Sequence, residues 1–179
     1  MLEEKIEEFR QYLIHDLEKA VDGDANYLAA LGLAVYTEFL GGLYRCTHDD
    51  GEAKSNYNEG LRKLGNEYEE LYTSRGNAMY YRVRCGLVHE YLIKKTAKVS
   101  MSESSPNNCG IVIETDDTIC FYVRQYLEDF KQAMEDYINE MRTNESFKNY
   151  FLGSWRVASE QTRADGTSFI PSQSNVSSE

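Results

Sequence analysis

Proline occurs only twice in the chain, at Pro106 and Pro171. A proline inside a helix removes a backbone donor and clashes with the preceding turn. Long stretches of this chain are therefore free to be helical. Residues 2 to 20 carry Leu2, Ile6, Phe9, Leu13, Ile14 and Leu17 at spacings of three and four with charge between them, the stripe of an amphipathic helix. Asp22-Gly23-Asp24 ends that helix, and Asp24 is placed to cap the next one.

Residues 25 to 45 are apolar nearly all round, apart from Thr37 and Glu38, as a helix at the centre of a bundle is. Gly32, Gly41 and Gly42 each cost about 1 kcal/mol against alanine in a helix interior. A fold accepts that where another backbone must come close. Glu38 reads as a solvated edge, the commoner case, with a buried carboxylate awaiting a cation as the other reading.

Residues 53 to 74 are helical and polar, with Tyr57, Leu61, Leu64, Tyr68, Leu71 and Tyr72 on the inner face and Gly65 as a point of division. Ser74 to Asn77 form a turn, Asn77 being a candidate cap for a helix over 78–95. The chain then changes character. β-Branched residues and a turn cluster follow, and Ile111–Ile113 and Ile119–Phe121, joined through Glu114 to Thr118, have the pattern of a hairpin. Helix returns over 122–143, and Asn144 has the character of a cap for a short final helix ending near Leu152. Residues 153–179 are serine-rich and low in apolar content, which predicts a flexible tail. The expected fold is mainly α, an up-and-down bundle of five or six helices in one domain over 1–152, with a small inserted β-hairpin at about 95–121.

With 179 residues, the chain can bury a real core. It has 30 acidic against 19 basic residues and a net charge of -11. That argues against non-specific binding along nucleic acid, where affinity comes mainly from Lys and Arg at phosphates. A small basic cleft in an acidic shell remains compatible with it. No apolar run reaches the roughly 18 residues of a membrane span, and the acidic, amphipathic N-terminus does not resemble a signal peptide. Cys46, Cys85, Cys109 and Cys120 are scattered, which fits a reduced, cytoplasmic protein. Cys46 with His48, Asp49 and Asp50 resembles half of a metal site, but no second pair at ligand spacing completes it; a solvated acidic loop is the simpler reading. Glycine loops for phosphates, serine elbows and HExxH are absent from the sequence.

The stretch that reads as a site is Arg84-Cys85-Gly86-Leu87-Val88-His89-Glu90-Tyr91, preceded by Arg82. On a regular helix, at about 100° per residue, Arg82, Cys85, Gly86 and His89 share a face. Arg84 falls on the opposite side with Leu87, Val88 and Tyr91, and joins His89 only by its length or through a local distortion. Gly86 leaves room on the His89 side for a backbone or a phosphate. A structural histidine with decorating arginines is the plainer reading of spacing alone.

This stretch resembles the motif of the HEPN superfamily (higher eukaryote and prokaryote nucleotide-binding domains): an arginine, four to six arbitrary residues, then a histidine on a late helix of a helical bundle. Four residues separate Arg84 from His89 and six separate Arg82 from it. The Arg-x4-His-x-Tyr form of toxins paired with nucleotidyltransferase antitoxins is matched by Arg84, His89 and Tyr91. Cys85 stands where the superfamily commonly has a polar residue, and the hairpin lengthens the chain beyond the compact toxins.

The resemblance implies a homodimer in which two motif helices meet, acting on RNA as an endoribonuclease without a metal or other cofactor. In that reading His89 is the acid/base and Arg84 stabilises the phosphate. Arg82 is a helper or competitor, and Cys85 lies beside the site. In a separate reading the motif only pins the dimer, its arginine and histidine bonded to carboxylates across the axis, for which Glu90 is a candidate. Tyr91 would be a nearby hydroxyl, the target of a nucleotidyltransferase in the toxin subgroup, although an ordinary packing tyrosine is the commoner case. The alternative is a non-catalytic dimeric module that binds a nucleotide, RNA or a protein.

Overall fold

A computed structural model describes residues 2–89, 97–102 and 105–164, with side chains omitted for His89 and 155–164. The protein is mainly helical and carries a small three-stranded sheet.

The N-terminal helix is α1 (Leu2–Arg10) and α2 (Asp16–Asp22), joined without a break through a π turn at Gln11–His15. Ile6, Phe9, Leu13, Leu17 and Val21 of this run are buried, the stripe that the sequence spells out. Asp24 does not cap the next helix: it takes a left-handed φ of +53°, and Ala25 occupies the cap position without a side-chain bond.

The centre of the bundle is α3 (Asn26–Arg45). Among the described residues it is the helix long and apolar enough to cross a membrane by length and composition, yet half of that apolar window is buried inside the fold. It packs along α4 (Ala53–Lys63) and also meets α2 and α7. The contact with α4 explains two glycines. A Cβ on Gly41 would lie 1.8 Å from the Asn56 carbonyl oxygen, and one on Gly60 would lie 1.9 Å from that of Thr37. The two backbones touch there, and only hydrogen fits between them. Gly42 clears space for the His48 ring, and Gly32 for a methyl of Leu17.

Gly65, at φ +142°, divides α4 from α5 (Asn66–Arg75). After α5 comes the motif helix, a π turn at Tyr80–Arg84 running into α6 (Cys85–His89). Asn77 Oδ1 accepts from Asn58 Nδ2 at 2.7 Å, so its side chain ties to α4.

The sheet has β1 (Ala97–Ser100), β2 (Ile111–Ile113) and β3 (Ile119–Tyr122) in the order β1-β3-β2. The hairpin expected from sequence is β2 against β3, antiparallel, with Val112 opposite Cys120. β1 is an addition to it: it pairs parallel with β3, Lys98 opposite Cys120. Gly110 lets the sheet rest on α7 (Val123–Thr143), since a Cβ there would lie 2.5 Å from Tyr126 Cα. Tyr126 stacks on Phe121 with ring centroids 4.5 Å apart. Asn144 caps α8 (Glu145–Ala164), its Oδ1 accepting from the Ser146 and Phe147 backbone amides at 3.0 and 3.3 Å. That helix runs on to Ala164, past the end near Leu152 expected from pattern. Residues 153–164 lack an apolar stripe but contain helix-tolerant residues and no proline.

Candidate functional site

The motif helix departs from regular geometry where its arginines stand. The π turn at Tyr80–Arg84 holds one residue more than an α turn, which rotates the side chains on either side relative to each other. Arg84 reaches inward. Its Nε–H donates to Glu38 Oε2 at 2.6 Å, and the two side chains are only 17% and 20% exposed. Glu38 is thus the largely buried carboxylate with a cation, and the solvated-edge reading is overturned. The guanidinium also lies 5.9 Å from the Tyr80 ring centroid, within the range of a cation–π contact. The Glu38 bond leaves the two terminal nitrogens of Arg84 without a hydrogen bond to the described residues.

Arg82 points elsewhere. Its Nη1 donates to Asp117 Oδ2 at 3.0 Å and its Nη2 to the Asp117 carbonyl oxygen at 2.5 Å. One arginine is therefore held by the central helix and the other by the turn between β2 and β3.

Under Arg84 lies a layer of phenols. Tyr57 is fully buried, and burial pushes its titration up. Tyr126 is buried as well and shares a 2.8 Å bond with Thr37 Oγ1, which itself donates to the Leu33 carbonyl. Tyr80 is pushed up by burial first and then by its bond with Cys85. Cys85 therefore sits half-buried against a phenol, beside Arg84 in the chain.

Gly86 is buried, and a methyl placed on it would meet no described atom within 4 Å, which keeps the room expected from its lack of a side chain. Leu87 is buried and its carbonyl accepts a hydrogen bond from the Tyr27 hydroxyl of α3. Val88 is exposed, as is Tyr81. His89 ends α6 by its backbone. Its side chain, and Glu90 and Tyr91 altogether, lie outside the described residues.

The loop after α3 uses its histidine for packing. The Phe39 carbonyl can only accept, so His48 Nε2 carries the proton of their 3.0 Å bond; Nδ1 is bonded to the Tyr150 hydroxyl at 2.6 Å. The ring stacks on Phe39 and Tyr150 at centroid distances of 4.8 and 5.7 Å. Both nitrogens are committed, Nε2 tying the loop back to α3 and Nδ1 tying it to α8. Among the described residues no three His, Cys, Asp or Glu side chains come together as a metal site. Two surface grooves, of about 300 and 490 Å³, lie along the N-terminal helix and α7, and neither is lined by the motif helix.

Of the two carboxylates that hold the arginines, sequence reasoning offered Glu38 only as the less common reading and missed Asp117. For Glu38 the signal was present, a single acid in an apolar helix. For Asp117 it was absent, because its partner stands 35 residues away. Comparison with protein-family models, curated proteins and solved structures gives no match, so the reading of the site rests on its own residues.

Proposed function

We propose that the chain is a HEPN-like endoribonuclease that uses no metal and acts where the motif helices of two copies meet. One observation carries the reading. Arg84 is fixed through Nε by a mostly buried carboxylate while its terminal nitrogens have no hydrogen bond among the described residues, on the same helix as His89. A guanidinium held this way presents a planar fork of the kind that pairs with phosphate oxygens.

In the reaction, an RNA 2'-hydroxyl attacks the adjacent phosphorus and the bond to the 5'-oxygen breaks, leaving a cyclic phosphate and a 5'-hydroxyl. His89 takes the 2'-proton, the histidine of the second copy protonates the leaving oxygen, and Arg84 stabilises the extra charge on the phosphate. Cys85 adjoins Arg84 in the chain, Arg82 is turned to Asp117, and Glu90 and Tyr91 follow His89. Tyr91 is the residue that a nucleotidyltransferase partner would modify. Tyr81 and Val88 on the motif helix, and Leu28 and Val35 two turns apart on α3, are exposed apolar side chains that a second copy would cover.

The test is cleavage of single-stranded RNA in excess EDTA. Wild type should cleave, His89→Ala should be inactive, and Arg84→Ala should lose about 100-fold or more. Equal activity in wild type and His89→Ala would end the catalytic reading. A second reading, a dimeric module that binds a nucleotide, RNA or protein without cleaving it, is favoured by the net charge of -11 and by the carboxylates on both arginines. Saturable ligand binding without turnover would select it.

A further inference from the structure

The acidic turn between β2 and β3 sits on the motif helix through one carboxylate that two arginines share. Arg75, the last residue of α5, reaches Asp117 Oδ1 with Nη1 at 2.9 Å, and Arg82 reaches Oδ2 at 3.0 Å. Each carboxylate oxygen has its own guanidinium, and the Asp117 carbonyl accepts from Arg82 as well. The arginines come from different helices, so the geometry is a small cationic cradle with Asp117 lying in it.

Three features mark Asp117 as an occupant that can leave. It is half-exposed, whereas Arg82 is largely buried. It stands at the tip of a turn, where its own backbone amide is bonded to Glu114 and the strand-to-strand bond is made by Glu114 and Thr118, so the hairpin closes without its side chain. It also takes a left-handed φ of +66°, a backbone region that a residue other than glycine leaves at little cost. Its acidic neighbours are tied elsewhere. Glu114 is bonded to Lys98 and Cys120, and Asp116 accepts from the Thr118 amide.

We infer that Arg75 and Arg82 form a phosphate-binding site that the Asp117 carboxylate occupies in the resting chain, so that the β2–β3 turn acts as an internal competitor for the anion. Two carboxylate oxygens on two guanidinium forks stand in for two phosphate oxygens. The inference deepens the reading of the motif helix as a phosphate site, on which it rests through Arg82. It adds Arg75, which lies outside the motif, and assigns the turn a regulatory part. Displacing Asp117 swaps one anion for another and leaves no buried charge unpaired.

The test is equilibrium binding by calorimetry with inorganic pyrophosphate, and by fluorescence anisotropy with a labelled single-stranded oligoribonucleotide lacking terminal phosphates. All proteins carry His89→Ala so that no probe is cleaved. Removing the competitor with Asp117→Asn should tighten binding of at least one probe about fivefold, the worth of an exposed ion pair. Adding Arg75→Gln should abolish that gain. The probe that gains identifies the source of the phosphate, a free phosphate compound or a polynucleotide backbone. Asp117→Gly, which suits the left-handed backbone and also lacks the carboxylate, repeats the test if the asparagine variant folds poorly. Unchanged or weaker binding of both probes by a variant that melts cooperatively overturns the inference. Absence of RNA cleavage by the wild type would leave this result standing, so failure of the catalytic reading is told apart from failure of this one.

Discussion

Arg84 and Glu38 join the motif helix to the middle of α3 by a 2.6 Å bond from Nε to Oε2, with both side chains about four-fifths buried. Such a pair is not strong evidence of net stability, because desolvation offsets the attraction, but breaking it leaves one charge uncompensated. Glu38→Ala should therefore cost about 2 kcal/mol in urea unfolding. The double variant Glu38→Ala/Arg84→Ala should recover part of that, with a coupling of about 1 kcal/mol or more. Strictly additive losses would show that the two side chains do not depend on each other.

The α3–α4 crossing makes a sharper demand. Gly41→Ala places a methyl 1.8 Å from the Asn56 carbonyl oxygen and Gly60→Ala places one 1.9 Å from that of Thr37. Backbone cannot yield as a side chain does, so either change should lower stability by about 3 kcal/mol or abolish cooperative folding. Gly153→Ala is the control: it stands exposed in α8 with none of the described residues within 4 Å, and alanine there should be neutral or stabilising by up to about 1 kcal/mol. Thermal melts of the three variants distinguish crowding at the crossing from a general intolerance of alanine.

Acid should weaken the link between α1 and α7. Arg10 donates from Nε and Nη2 to both oxygens of Glu135, at 2.7 and 2.6 Å, and this bonding holds the Glu135 carboxyl below its ordinary value of 4.5. A carboxyl depressed in the folded state contributes stability above its unfolded value and loses it as pH falls through the folded one. Glu135→Gln should thus be less stable than wild type at neutral pH by a constant amount. The gap should begin to narrow as pH drops below about 4.5 and close only below the lowered folded value. The pair is partly exposed, so the effect is small and should shrink in high salt. A gap that persists unchanged into strong acid would remove Glu135 from the acid response.

Thiol labelling should divide the cysteines into two classes. Cys109 and Cys120 are almost fully buried, and burial pushes both thiols up to about 11. Since the thiolate is the reacting form, iodoacetamide at mildly alkaline pH should modify the half-buried Cys46 and Cys85 first, and Cys109 and Cys120 only as the protein unfolds. Mass spectrometry against time reads this directly, and early labelling of Cys109 would contradict the packing of that loop.

Much of the architecture was legible because it depends on local pattern. The stripe Ile6, Phe9, Leu13 and Leu17 needs no knowledge of its partner to be read as a buried face, and Gly65 announces its break by being a glycine between two apolar periods. Ile111–Ile113 and Ile119–Phe121 pair through a short turn, so their strands were readable too. β1 was not, because a parallel strand pairs with chain far away in sequence and leaves no turn signal. The same limit governs the site. A wheel with a constant step sets Arg84 opposite His89, and only its bond to Glu38 of α3 shows that Arg84 points into the bundle. Glu38 and Asp117 became visible as partners only once α3 and the β2–β3 turn were packed against the motif helix.

Tyr122 ends β3 and Val123 begins α7 with no intervening loop. The strand is in effect a stiff extension of α7, and both other strands hang from it. The position of the turn that carries Asp117 is therefore governed by the axis of α7 rather than by a flexible tether. A small rotation of that helix in its seat would swing the tip of the sheet like the end of a crank, moving it toward or away from Arg75 and Arg82 without disturbing a single strand pairing.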